Sequence, residues 1–531
     1  LVTHSIFYKL FNIYSFIILE YIFHSLLIFI LFNIIKKIFN STNVAALFCI
    51  LIFILILFLK MIGNFIEPQV FYKIYDLLIE NFGTRTPRPL ITGIFYFSFL
   101  YYMMFFEEKI ENKLDYNYIL KIALLLGLLA NSFIFLFIHS FIFLLIFLVK
   151  SIHKKLIEWI KFNYKISFYF IFLLAIFLLP ILFQNLYGEN NFSTRAGLIS
   201  IGLEKKLFLI KYYLINLLRF EFIILILLTL ILNWYLNKKN FDKVNIFFLL
   251  TISSILSPLI FFILSPKIIS IFHFLNIILF SFIFYIILSF FCILYILSKN
   301  FNFKNYYLKM TLYIILPIMC LSFFVPLELN SFLKSKEQRI EITKLHRFFN
   351  KNNLKDTNLK LFTNDLLIMN LWLLNGNTQL VISDAFSNSL PDDKIEFNLL
   401  NSLKDFDIEE KQLRELIFLE KSAYRNKLFM RLFNYKYQAN SLYTHSPLGD
   451  YNKTDQDLII KTSPFRIQMQ IIPDTEKERI INLYKNLKIN IDLLPNYVVL
   501  NTSHLFKNFT IKNNKYKEIF KTKNFLIYKK L

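Results

Sequence analysis

Lys150–Lys165 reads KSIHKKLIEWIKFNYK, a basic stretch set between two long apolar blocks. Short loops rich in Lys and Arg stay on the cytoplasmic side of a membrane, so this stretch orients whatever flanks it. Its flanks are membrane spans by composition. The chain has 531 residues, 56% of them hydrophobic, with 65 Phe and only 9 Gly. Its apolar runs reach the roughly 20 residues needed to cross about 30 Å of hydrocarbon. The chain reads as a polytopic membrane protein.

Lys and Arg number 59 against 36 Asp and Glu, a formal charge of +23. In a soluble protein that excess would suggest nucleic acid. Here it sits beside apolar spans, which favours anionic lipid and the positive-inside bias and gives no reason to expect a nucleic-acid partner. The heavy use of Phe, Ile, Lys and Asn also matches an AT-rich genome, so composition carries little more. Cys49, Cys292 and Cys320 fall far apart inside apolar runs with no CxxC or CxxH spacing. Neither a disulfide framework nor a thiolate metal site is expected.

Apolar blocks lie at 10–35, 44–62, 90–106, 118–149, 166–187, 210–236, 244–265, 268–298 and 310–329. With Lys150–Lys165 in the cytoplasm, segment 188–209 lies outside and the Lys238, Lys239 and Lys243 loop returns inside. Pro266–Lys267 is then an outer turn, the Lys299, Lys304 and Lys309 loop is inside, and everything after Asn330 is outside. The 118–149 block is too long for one ordinary span. Gly127, Ala130, Asn131 and Ser132 interrupt it and read as a tight turn between two short helices. Two crossings there also place Lys36 and Lys37 inside with the other basic loops, for ten spans. With ten spans and an external C-terminus, Leu1 begins outside, which leads us to expect an earlier span upstream of it.

The sequence divides at residue 330: 1–330 is a polytopic transmembrane domain and 331–531 a soluble extracytoplasmic α/β domain. From Ser331 charges become frequent and apolar runs shorten. Leu359–Phe362, Leu380–Ile382, Leu458–Ile460, Tyr497–Leu500 and Phe525–Tyr528 read as strands, with helical patterns around 394–420 and 475–488. No P-loop, GxGxxG, HExxH or GxSxG motif occurs.

Chemistry-bearing residues concentrate in two outer segments. The first, GNFIEPQVFYKIYDLLIENFGTRTPRPLI, carries Glu67, Asp76, Glu80, Arg85 and Arg88. Val70–Asn81 suits a short interfacial helix with Asp76 and Glu80 on one face. A carboxylate there suits a general base, Asp76 first and Glu67 second, or a divalent cation ligand. Solvation, or pairing with Lys73, Arg85 and Arg88, accounts for the same acids. Pro87 and Pro89 stiffen the segment, and the forked guanidinium groups of Arg85 and Arg88 suit a lipid-linked phosphate as well as ordinary headgroup contact. The second segment, NLYGENNFSTRAGLISIGLEKK, adds Glu189 as a second acid or metal ligand and Arg195 as a phosphate ligand. Gly188, Gly197 and Gly202 also lie in it. His139 and His273 fall inside spans, where a neutral, hydrogen-bonded histidine is the expected state and a functional one the alternative. Asp365, Asp384, Asp392 and Asp393, and Asp450, Asp455 and Asp457, read as turn and cap residues.

The layout of many spans, charged outer loops, the helix pair KIALLLGLLANSFIFLFIHSFIFLLIFLV and a C-terminal external domain resembles the GT-C class of membrane glycosyltransferases. That class includes protein mannosyltransferases and aminoarabinose transferases. RTPRPLI is similar to the proline-containing start of the span after their catalytic loop, and NYVVLNTSHLFKNFTIKNNKYKEIFKTKNFLIYKK to the final strands of their external domains. The resemblance implies a bacterial inner (cytoplasmic) membrane enzyme with an extracytoplasmic C-terminal domain. It would transfer sugar from a polyprenyl-phosphate donor to an acceptor at the outer face, with Asp76 or Glu67 as base and Arg85, Arg88 and Arg195 on the departing phosphate. Some members use a divalent metal and others none. No adjacent DD, DE or ED pair occurs in 63–89, so either one acid acts alone or the catalytic loop lies upstream of Leu1. A polysaccharide polymerase or ligase, a transporter and a non-catalytic membrane scaffold are the competing readings.

Overall fold

The computed structural model describes residues 10, 14–52, 90–111, 115–152, 156–187, 199–200, 203–218, 220–264, 267–268, 272–300, 336–351, 360–363, 379–381, 392–418, 459–463, 466–469, 474–501, 511 and 515–531. The chain divides into two compact units. The first comprises Leu1–Tyr187, Leu209–Ser265 and Ile271–Leu329, and the second Gly188–Phe208, Pro266–Ser270 and Asn330–Leu531.

The first unit is helical. Its helices are α1 Tyr14–Phe39, α2 Thr42–Ile52, α3 Leu90–Met103, α4 Phe106–Glu111, α5 Tyr116–Ser132, α6 Ile134–Ile152 and α7 Leu156–Tyr187. After these come α8 Leu203–Leu217, which begins in the second unit's residues, α9 Phe220–Lys238, α10 Asn245–Leu264 and α11 Phe272–Asn300. Among the described residues four stretches are long and apolar enough to cross a membrane: Ile134–Ser151, Tyr164–Phe183, Asp242–Ile263 and Asn276–Leu297. The expected break in the 118–149 block is present, but it falls at Phe133, whose φ of −156° and ψ of 94° leave the helical region.

Gly127 is not part of that turn. It lies inside α5, where a Cβ would come 2.3 Å from the Cβ of Phe177 on α7. Asn131, one turn on, donates to the carbonyls of Gly127 and Phe177, each at 2.8 Å. Pro180 follows Phe177 in α7 and lacks an N–H for the helix ladder. The Asn131 amide supplies a donor beside that interruption.

Two further expectations are corrected. The basic stretch is not a loop of its full length: α6 runs to Ile152 and α7 starts at Leu156, so only 153–155 separate them. Charge has to leave the hydrocarbon, but a helix satisfies its own backbone on either side of the boundary, so nothing forces it to end there. The 210–236 block is two helices, α8 and α9, rather than one span. The sequence places Arg219 at their junction, and a guanidinium is costly mid-bilayer. The expected span at 310–329 lies outside the described residues, as does 53–62 of the second block.

One end of this unit gathers several helix termini. Lys243, just before α10, donates to the Lys37 carbonyl at 3.0 Å, and Lys37 pairs with Glu108 of α4 at 2.8 Å. Phe39 meets Phe241 and Tyr295 with ring centroids 6.0 and 5.1 Å apart. Phe106 contacts Tyr118 at the start of α5 and Phe147 near the end of α6. Hence α5 and α6 form an antiparallel hairpin, and Lys36 and Lys37 share an end with Lys238–Lys243.

In the second unit, β1 Ile199–Ser200 pairs antiparallel with β2 Lys267–Ile268. The C-terminal part holds a five-stranded sheet of β3 Lys360–Thr363, β4 Gln379–Leu380, β7 Tyr497–Asn501, β8 Tyr516–Lys521 and β9 Phe525–Lys530, ordered β4-β3-β7-β9-β8. A separate hairpin joins β5 Ile459–Ser463 to β6 Arg466–Met469. β3 is parallel to β4 and β7, whereas β9 is antiparallel to β7 and β8. Helix α12 Lys336–Lys351 covers one face through Leu345 and Phe349 against Leu361, Tyr497, Val499, Phe525 and Ile527. Helices α13 Asp392–Asp405, α14 Glu410–Phe418 and α15 Asp474–Asn486 cover the other against Phe362, Val498, Leu500 and Tyr516. β7 is buried along its whole length, as a central strand between two helical layers must be. The pattern at 394–420 is two helices because Asp407, at φ 55°, ends α13 in a left-handed turn. The sequence reading missed α12, β6 and β8.

A close-approach glycine and a polarised carboxylate give two tests. Gly127→Ala is expected to cost about 1–3 kcal/mol, read as a lower Tm in detergent. Adding Phe177→Ala is expected not to restore it, because the clash is with a Cβ that alanine retains. In α12, the Thr522 hydroxyl, with help from Lys344 at 3.1 Å, holds the buried Glu341 carboxyl below its ordinary 4.5. Its contribution to stability is full above pH 4.5 and is lost as pH falls through the lower folded value. Melting curves in acid should show that loss in the parent and a shallower one in Glu341→Gln.

Candidate functional site

Glu67, Asp76, Arg85, Arg88, Glu189 and Arg195 all lie outside the described residues. So do Asp365, Asp384, Asp450, Asp455 and Asp457, while Asp392 and Asp393 open α13. His273 sits in the first turn of α11, and its side chain is outside the described set. Of the residues singled out for chemistry in the sequence, His139 is the one whose surroundings are defined.

His139 projects from α6 into the interior of the helical unit and is fully buried. Three helices meet on its ring. Nε2 lies 3.0 Å from the Tyr96 hydroxyl of α3, and Nδ1 lies 3.3 Å from Ser253 Oγ and 3.5 Å from Ser257 Oγ of α10. The two serines fix which nitrogen carries the proton. Ser253 donates to the Leu250 carbonyl at 2.7 Å and Ser257 to the Ser253 carbonyl at 2.6 Å. A hydroxyl has one proton, so both serine oxygens are left only as acceptors toward the ring. Nδ1 therefore donates, and in a neutral ring Nε2 accepts from Tyr96. This hydrogen-bonded arrangement is compatible with the neutral histidine expected inside a span.

The same accounting extends along the seam. Thr251 donates to the Phe247 carbonyl at 2.9 Å and approaches the Ser281 carbonyl of α11 at 3.3 Å. Ser254 donates to the Thr251 carbonyl at 2.7 Å and Ser281 to the Ile277 carbonyl at 2.8 Å. Pro258 has no N–H for the Ser254 carbonyl, so α10 is weakened where its hydroxyls are densest. Tyr96, Ser253 and Ser257 were missed in the sequence reading. The SSILSP run in the middle of an apolar block, Ser253–Pro258, was the available signal.

The second unit holds a different polar cluster. Asp405, at the end of α13 and 2% exposed, accepts from the Tyr516 hydroxyl at 2.7 Å and faces Lys515 and Lys530 at 3.4 and 3.5 Å. Burial, and then the neighbouring Asp405 carboxylate, raises the Tyr516 phenol above its ordinary value. Glu396 takes a two-pronged contact from Arg479 at 2.9 and 2.7 Å, and Lys404 donates to the carbonyls of Tyr484, Lys485 and Leu487 at the end of α15. These bonds tie α13 to α15 and to the sheet. Among the described residues no group of three His, Cys, Asp or Glu side chains is arranged to hold a metal ion.

No family model, no curated protein and no solved structure matches this chain.

The hydrogen bond between Tyr96 and His139 has a direct check. Tyr96→Phe leaves Nε2 without its donor and should cost about 1 kcal/mol, the scale of hydrogen bonds between membrane helices. His139→Leu, which also strands the phenol, should cost more. A Tyr96→Phe variant as stable as the parent in detergent melting would contradict that bond.

Proposed function

We propose that the chain is a ten-span membrane glycosyltransferase of the bacterial inner membrane, with the C-terminal domain outside. It takes sugar from a polyprenyl-phosphate donor. The observation that supports this reading best is the division of the chain, in which segments 188–208 and 266–270 group with 330–531. Segments that interrupt a run of apolar helices are thus part of the unit that holds the C-terminal sheet. That organisation suits chemistry at a membrane surface.

In this reading Asp76 or Glu67 takes the proton of the acceptor hydroxyl. The oxygen attacks the anomeric carbon, and the sugar–phosphate bond breaks with its electron pair going to the lipid phosphate. Arg85, Arg88 and Arg195 stabilise that departing charge, and Glu189 is a second acid or a ligand for a divalent metal. The seam around His139 weighs against transport. The protons of Thr251, Ser253, Ser254, Ser257 and Ser281 are committed to backbone carbonyls, so none of them is free to relay a charge.

Transfer of a labelled sugar from polyprenyl phosphate tests the reading. Asp76→Asn or Glu67→Gln, whichever residue is the base, should lose about 10²-fold or more in rate, and Arg88→Ala a comparable factor. Unchanged transfer in all three variants would remove the site assignment. Absence of transfer by the parent would favour a scaffold or transport role.

A further inference from the structure

The end of the helical unit where Lys37 meets Lys243 gathers the lysines of two helix termini. α1 ends in Lys36 and Lys37, and α9 ends in Lys238 followed by Lys239. The Lys243 to Lys37 hydrogen bond of 3.0 Å joins these termini although they are 206 residues apart in sequence. Both helices close in the same way, through a left-handed asparagine, Asn40 at φ 51° and Asn240 at φ 59°. Lys36, Lys37, Lys238, Lys239 and Lys243 gather at these termini, with Asp242 and Glu108 of α4 beside them. Glu108 is already held by Lys37 at 2.8 Å.

Lys36, Lys238 and Lys239 are exposed and have no ion-pair partner among the described residues. Two of them lie over aromatic rings, Lys238 Nζ 5.4 Å from the Trp234 ring and Lys239 Nζ 6.0 Å from the Tyr235 ring. Trp234 is 64% exposed on a helix otherwise rich in exposed Leu and Ile. An aromatic body with a lysine at its rim is the side-chain arrangement that settles at headgroup depth.

We infer that Lys36, Lys238 and Lys239, with Trp234 and Tyr235, form a binding site for the headgroup of an anionic phospholipid. The aromatic rings lie along the acyl–headgroup boundary and the three ammonium groups take the phosphodiester. The occupant is a lipid and not an acidic peptide because the cations emerge from the ends of apolar helices whose sides bear exposed Leu, Ile and Trp.

The full chain, purified in mild detergent with equal phosphatidylglycerol and phosphatidylcholine, is analysed by native mass spectrometry for retained lipid. The parent should keep phosphatidylglycerol over phosphatidylcholine by about fivefold or more, given three lysines at an anionic surface. Lys36→Gln/Lys238→Gln/Lys239→Gln should fall to near parity, while the charge-matched control Lys517→Gln/Lys521→Gln/Lys529→Gln keeps the preference. Lys36→Arg/Lys238→Arg/Lys239→Arg should also keep it, which separates loss of charge from loss of fold. An indifferent parent, a triple-Gln variant that still selects phosphatidylglycerol, or an equal loss in the control overturns the site. So does displacement of the lipid by an acidic peptide at equal concentration.

Discussion

Helices in hydrocarbon gain little by hiding apolar surface from one another, because the lipid is as apolar as leucine. Close approach and interhelical hydrogen bonds must hold them instead, and Gly127 and Asn131 supply them between α5 and α7. A Cβ at 127 would stand 2.3 Å from the Phe177 Cβ, so glycine is what allows α5 this close to α7, where the Asn131 amide bonds the Phe177 carbonyl at 2.8 Å. With α5 fixed to α7, the turn at Phe133 directs α6 back alongside, and α6 carries His139 to Tyr96 and the α10 serines. A larger residue at 127 would push α5 and α7 apart.

Legibility in the sequence followed the difference between local and distant causes. The split of 118–149 was readable because small and polar residues interrupt an apolar run. The location was misread because glycine serves both turns and close helix contacts, and only the partner helix shows which applies. Strand β7 was found from YVVLN, apolar on both faces, whereas β8, YKEIFK, was missed. It is an edge strand whose outward positions are charged, which blunts pairing with other chains and also erases the hydrophobic pattern. Asp407 divided a continuous helical pattern through one positive φ, a property no periodicity carries.

Charged residues in the sequence drew attention to segments between helices, because charge among apolar runs is conspicuous. The partners of His139 are 43, 114 and 118 residues away, and serine and tyrosine do not stand out in an apolar helix. The juxtaposition of Lys37 with Lys243 was legible only as a statement about sides. A rule that sorts basic loops onto one side does not say which of them touch, and the hydrogen bond between them does. Asp405 escaped notice for the opposite reason: as one acid among many in a charged domain, it is distinguished only by burial under Tyr516.

The His139 seam shows how a polar group inside a membrane can be evidence for rigidity. An ionisable side chain there usually suggests a path for ions or protons, and a path needs donors that can turn. Ser253 and Ser257 cannot offer their protons to the ring while the carbonyls of Leu250 and Ser253 hold them, so the imidazole is a fixed donor on one side and a fixed acceptor on the other. Reversing that polarity would turn one of the serines from its carbonyl, exchanging a bond of 2.7 or 2.6 Å for one of 3.3 or 3.5 Å. Three helices are thereby held in one relative rotation. The helices there form a fixed frame rather than a path.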